Sequence, residues 1–383
     1  MKCFTRHGVA SFLFLLMAAS SAAARDYWVY VGTFTEGLSQ GIYVSRLNAD
    51  DGGLSPPTLA AATPDPSYLA LGPDQNHLYA VNEMPGPKSG TVSAFAIQSS
   101  SGQLELLNQK SSGGPGPCYV SVDHRGRTLL VANYAGGSVE SLPILAHGRL
   151  GNGGSFIQYQ GHGVNPIRQT APHAHCLDVD PSNHYALGCD LGADRVMIFK
   201  LDPDQATLLA NNPPFGTAPP GSGPRHLVFG RDGATLYLVN EMACTLTVFD
   251  WIPKIGELTR RRTISTLPDG VTARPDYTAA EIVQSASGRF LYISVRGHDS
   301  ISVFGIDATT GDPHLIQNVA SGGKTPRGLA IDPTGRWLLA GNQKTDHVAE
   351  FAIDPVTGKL KAMPAQLMIG APVDFKFVAV ASP

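Results

Sequence analysis

Charge is scarce in this chain. Asp, Glu, Lys and Arg make up only 15% of its 383 residues, and 28 basic side chains nearly balance 31 acidic ones, leaving a formal charge of −3. With no basic surplus and no Lys/Arg cluster, nothing drives electrostatic capture of nucleic acid or anionic lipid, and neither is expected as a partner. Cysteine is scarce as well. Of the five, Cys118, Cys176, Cys189 and Cys244 lie beyond the N-terminal segment, without a CxxC pair or a zinc spacing. Cys176 and Cys189 would face each other across a hairpin whose turn centres on Ser182 and Asn183. A disulfide there and a pair of buried thiols are both open readings. There is no Walker motif, no dinucleotide fingerprint and no G-x-S-x-G nucleophile turn. No apolar run reaches the roughly 20 residues that span a bilayer.

The first 24 residues read as a Sec-type export signal. Lys2, Arg6 and His7 make a basic start, Val9 to Ala19 is apolar, and Ala22, Ala23 and Ala24 offer the small side chains that cleavage needs. The mature chain, residues 25–383, is then an exported, soluble domain, periplasmic or secreted, and a monomer is expected.

What the chain has in quantity is apolar residues, 43%, and turn formers, 42 Gly and 29 Pro. That balance supports a packed core of many short strands joined by turns. A repeat organises them. Six copies begin at Pro66, Pro117, Pro172, Pro224, Ala279 and Pro326, the fullest reading PRHLVFGRDGATLYLVNEMACTLTVFDWIPKIGEL. Each has an apolar run, a tight turn such as Asp332-Pro333-Thr334-Gly335, a second apolar run, a polar turn and an alternating stretch. A further strand follows each G-x-L. Two hairpins per unit make a four-stranded antiparallel sheet, the blade of a propeller. Residues 27–62 supply strands two to four of a seventh unit, and Pro372 to Val380 supplies its first. The fold expected is therefore all-β: a seven-bladed β-propeller of four-stranded antiparallel blades, its ring closed by pairing the N- and C-terminal strands, which leaves no open edge.

In such a ring the start of each first strand and the end of each second strand converge at one end of the axis. Ser67, Cys118, His175, Arg225, Ala280 and Arg327 occupy the first place, with His226 and Glu281 one step on. The second place holds Glu83, Tyr134, Leu191, Glu241, Arg296 and Gln343. So many ionisable groups are costly to desolvate unless they pair or meet a ligand. A water-filled channel of mutually neutralising ion pairs and a reactive site are both compatible with the spacing. His173 and His175, two apart, would point the same way on a strand and in principle hold a metal. No carboxylate sits at matching spacing, and no metal or cofactor is expected. Asp194, Asp299 and Asp346, with His298, read as turn residues.

Several segments together, YVGTFTEGLSQGIYV, PHAHCLDVDP, DLGADRVMIF, GPRHLVFGRDG, LYLVNE, SGRFLYISVRGHDSISVF and PRGLAIDPTGRWLLAGNQ, resemble the seven-bladed propeller lactonases. That group includes bacterial 6-phosphogluconolactonases and fungal carboxymuconate cyclases. The resemblance implies a small-molecule lactone or carboxylated substrate at the axis. As working parts it implies His173 or His175, Arg225, Glu241 and Arg296, with Glu241 or a histidine taking a proton from water and the arginines holding an oxyanion or carboxylate. His226, Arg327, Glu281, Glu83, Tyr134 and Gln343 are the expected substrate-binding surround. The activity implied is hydrolysis of a sugar-acid lactone. A muconate-type cyclase, or an exported ring that binds a ligand without converting it, are the alternatives.

Overall fold

In the computed structural model, the residues described are Met1 and 26–380 apart from 85, 87 and 89. The export signal read over residues 1–24 lies outside them, save Met1. Seven four-stranded antiparallel sheets are arranged in a ring. Blade 1 takes Tyr27–Thr33, Gly41–Leu47 and Thr58–Ala62 from one end of the chain and its inner strand, Pro372–Ala379, from the other. Blades 2 to 7 follow in sequence, with inner strands Leu69–Leu71, Pro117–Val122, Ala174–Val179, Pro224–Phe229, Thr278–Gln284 and Pro326–Ile331. Each inner strand packs on the next around the whole circle. Closure is made by Tyr27–Thr33 against Pro372–Ala379, with Tyr30 opposite Lys376 and Val31 opposite Phe375. Among the described residues no helix is long and apolar enough to cross a membrane.

In blades 3, 4, 5 and 7 the first hairpin turns on an aspartate. Asp332 accepts hydrogen bonds from the backbone N–H groups of Thr334, Arg336 and Trp337, while Gly335 adopts φ +74°. Asp123 with Gly126, Asp180 with Asn183, and Asp232 with Gly233 repeat the arrangement. A carboxylate gathering local N–H groups beside a residue tolerant of positive φ makes the tight reversal that two apolar strands need.

The second hairpin turns stitch one blade to the next. Asp194, Asp299 and Asp346 sit at φ 53° to 55°, as expected of turn residues. Their carboxylates accept N–H bonds from the segments entering the following blade: Gly221 and Gly223, Thr325, and Ala371. Between blades the strands bury aromatic and branched side chains. Tyr79, Tyr237 and Tyr292 are among the largest, and each sends its hydroxyl to a glycine carbonyl in the outer turn of the next blade. Full burial of each such side chain contributes about 1.5–3 kcal/mol, so stability is spread over seven equivalent seams. Cys176 and Cys189 are cross-strand partners, and the four cysteines of the ring are buried, free thiols.

Candidate active site

The inner strands share a device for reaching the axis. In blades 3, 4, 5 and 7 the pairing of first and second strands skips one residue: Cys118, His175, Arg225 and Arg327 respectively. In blade 6 the shift spans Ala280 and Glu281. A bulge takes its extra residue out of the ladder and re-aims the side chains beside it. Plain alternation would send the neighbours Arg225 and His226 to opposite faces of the sheet. Instead both are buried, with Arg225 Nη1 3.4 Å from His226 Nδ1.

Glu241, just past the second strand of blade 5, is the hub. Its Oε1 accepts from Arg168 Nη2 at 2.8 Å. Its Oε2 lies 3.1 Å from Arg225 Nε, 2.9 Å from Arg296 Nη2 and 3.7 Å from His175 Nε2. Arg225 also donates to the Ala280 carbonyl at 2.5 Å. Burial alone would raise the Glu241 carboxyl, but the surrounding guanidiniums, Arg296 foremost, hold it well below the usual carboxylate range. Burial pushes Arg296 down to about 10, with Arg225 and Arg327 adding to it. His175 and His226 are held well below the ordinary imidazole value by burial and then by Arg225, so both are neutral at neutral pH.

Glu83 has a different setting. It lines a cavity of about 510 Å³ with Phe34, Asp65 and Tyr134, and Ser67 Oγ donates to its Oε2. Burial raises its pKa, opposed chiefly by Arg327. Arg327 also lies 5.3 Å over the Phe34 ring, and Tyr134 Oη accepts from Arg168 Nη2 at 2.8 Å, tying cavity and hub together.

The expected residues do not all meet. His173 precedes its strand, which begins at Ala174, and the bulge at His175 breaks the alternation that would align the two. His173 stacks on Tyr134, ring centroids 4.6 Å apart, with Nδ1 3.0 Å from the Tyr134 carbonyl. His175 goes to Glu241 instead, so the two imidazoles do not form a shared metal-binding face, and among the described residues no cluster suited to a metal is found. His226 and Glu281, joined at 2.9 Å, line the opposite mouth of the axial channel, away from Glu83. Gln343 opens the turn Gln343–Thr345.

Arg168 was not foreseen. It comes from the strandless segment between Gln158 and Ala174, pinned by the Asn165 carboxamide, which accepts from Ile167 and Arg168 N–H, and by the buried Gln169, which donates to the Leu191 carbonyl. The sequence signal was the length of this segment, which carries Gly161, Gly163 and Asn165-Pro166 between two blades.

A model of the lactonase family with a seven-bladed β-propeller matches residues 28–377. The chain belongs to that lactonase family. It is 34% identical to the 6-phosphogluconolactonase of Bacillus subtilis over 92% of this chain and 98% of the relative. It is 32% identical to that of Formosa agariphila over 89% and 96%. Among solved structures, the periplasmic gluconolactonase of Pseudomonas aeruginosa superposes with a TM-score of 0.87 at 36% identity, covering 93% of this lactonase and all of that chain.

Proposed function

We propose that this lactonase hydrolyses a sugar-acid lactone at the end of the axis where Glu83 and Glu241 lie. The observation that carries the reading is the excess of guanidinium over carboxylate: Arg168, Arg225 and Arg296 converge on the single Glu241. An ester carbonyl under attack by water becomes an oxyanion, and cationic donors fixed in a buried site stabilise that charge without reorganising. The same groups suit the carboxylate of the product.

The charge pattern redistributes the roles. Glu241 has both oxygens engaged and a depressed pKa, so it makes a poor proton acceptor and a good anchor for the arginines. Glu83 faces the cavity, is raised by burial and is held by Ser67. It takes the proton as water adds to the lactone carbonyl. When the intermediate collapses, the ring C–O bond breaks and the same proton passes to the ring oxygen, giving the open hydroxy acid. Arg327, beside Glu83, supports the oxyanion from the cavity side, and Tyr134 and His173 form an aromatic wall.

An unphosphorylated aldonolactone is the substrate class favoured. The export signal read in residues 1–24 would carry the enzyme away from phosphorylated cytosolic intermediates, and a relative of 36% identity is named as a periplasmic gluconolactonase. Acid release by the purified protein from glucono-δ-lactone, 6-phosphogluconolactone and a carboxymuconate tests this. Turnover of the first, lost in Arg296→Ala, is expected. Conversion of the muconate alone supports a cyclase, and no conversion of any supports a ligand-binding ring.

A further inference from the structure

The far end of the axial channel is a second cavity, also about 510 Å³, and its ionisable lining is mostly acidic. Asp178, Glu281 and Asp374 face it, with Lys376 as the cation. Lys376 is committed: its Nζ lies 2.8 Å from both oxygens of Asp374 and 4.7 Å over the ring of Tyr68. Asp178 and Glu281 have no such counter-ion. Asp178 accepts from Tyr119 Oη at 3.3 Å and from the Val179 N–H. Glu281 meets His226 Nδ1 at 2.9 Å and the Ile282 N–H at 3.1 Å.

A second observation points to a ligand. His226 forms the inner end of this cavity with a side chain only 3% exposed, and its Nε2 is buried without a hydrogen-bond partner. A buried polar atom left unpaired is costly. In the tautomer protonated on Nδ1, His226 donates to the Glu281 carboxylate and its Nε2 keeps a lone pair. The cavity is therefore lined by acceptors in excess: two carboxylates without a direct cationic partner, and a histidine whose buried Nε2 is unpaired. Its wall is aromatic, since Tyr68 and Tyr119 are stacked at 4.3 Å, and Lys376 over Tyr68 is an ammonium already seated in the same environment.

We propose that this mouth is a binding site for a small organic ammonium compound, with Asp178 and Glu281 as its counter-ions and the tyrosine pair as its wall. Unpaired carboxylates disfavour an anion such as an aldonate here, and the lining shares no residue with the cavity that Glu83 lines. The carboxyl groups agree with this. Burial raises all three, Glu281 to about 7, and a bound cation would bring them back down.

The test uses the full mature protein, with 1,4-diaminobutane as probe and sorbitol and gluconate as controls, followed by titration calorimetry at pH 8 in low salt. Diamine binding at one site is expected, weakened at least tenfold in Asp178→Asn. Lactone turnover, where the wild type shows it, and the unfolding midpoint of that variant should be unchanged. Binding of sorbitol or gluconate but not the diamine overturns the proposal, and so does absence of any binding. Diamine binding unaffected by both Asp178→Asn and Glu281→Gln overturns it too. None of these results depends on whether the wild type hydrolyses a lactone.

Discussion

Arg225 and Glu241, sixteen residues apart in the chain, meet across the first hairpin of blade 5 with 3.1 Å between Nε and Oε2, both nearly free of solvent. The bulge at Arg225 creates the contact, because it turns the guanidinium out of the strand ladder and onto the axis. The pair anchors a cluster in which cations outnumber their carboxylate.

Replacing Glu241 by Gln leaves three guanidiniums around a neutral amide. Breaking a buried ion pair by removing one partner typically costs about 3–5 kcal/mol. Urea unfolding of Glu241→Gln should show a loss of that order together with loss of turnover. A variant as stable as wild type would mean the arginines do not depend on this anchor.

Glu83→Gln separates chemistry from structure. Removing a general base typically lowers the rate on the order of 100- to 10,000-fold. The expected result is a fall of that size in kcat, little change in KM, an intact circular dichroism spectrum and loss of the acidic limb of the pH–rate profile. Retention of that limb would move the proton acceptor elsewhere.

Arg168→Ala should act mainly on binding. Its side chain is 39% exposed, against 3% for Arg225, so little packing is lost. A hydrogen bond to a charged group is worth about 1.5–3 kcal/mol. KM for a lactone should rise by about ten- to a hundredfold, with stability nearly unchanged. Arg225→Ala should destabilise the ring as well, which differential scanning calorimetry would register.

Glu350 predicts a pH dependence of stability. It is buried in blade 7, one carboxyl oxygen has no partner, and burial, with Asp332 and Asp51 nearby, raises its pKa to about 7. An unfolded glutamate titrates near about 4.3. The folded state therefore binds the extra proton between those values, and its contribution is complete below the lower one and lost as pH rises through about 7. Denaturation midpoints of wild type should fall over that window relative to Glu350→Gln. Parallel curves for the two proteins would refute the shift.

A chain ending at residue 371 should fail to close. Tyr27–Thr33 would lose its partner strand, and an open apolar edge invites association. Loss of the cooperative transition and concentration-dependent aggregation are expected. A cooperatively folded monomer would show that closure is dispensable.

How much was legible in the sequence follows from what repeats. The Asn82, Asn133, Asn240 and Asn342 column marks the ends of second strands because each blade is the same hairpin pair, so blade count and ring closure could be read from periodicity alone. The convergence of Arg225, Glu241 and Arg296 followed from topology. Features outside the repeat were not legible. Arg168 lies on an irregular segment that no period places. The bulges alter which way His173 and His175 point, and alternation cannot anticipate a skipped residue. Lys376 and Asp374 gain their meaning only when a distant strand inserts beside Tyr30.

The skipped residues have a consequence for how such a ring changes over time. Cys118, His175, Arg225 and Arg327 stand outside the strand ladders, so exchanging one leaves the backbone pairing of its blade as it was, even where the side chain also bonds to the next blade, as those of Cys118 and Arg225 do. A scaffold of this kind can trade one reaction for another by swapping a handful of axial plugs, while its rim and walls stay as they were.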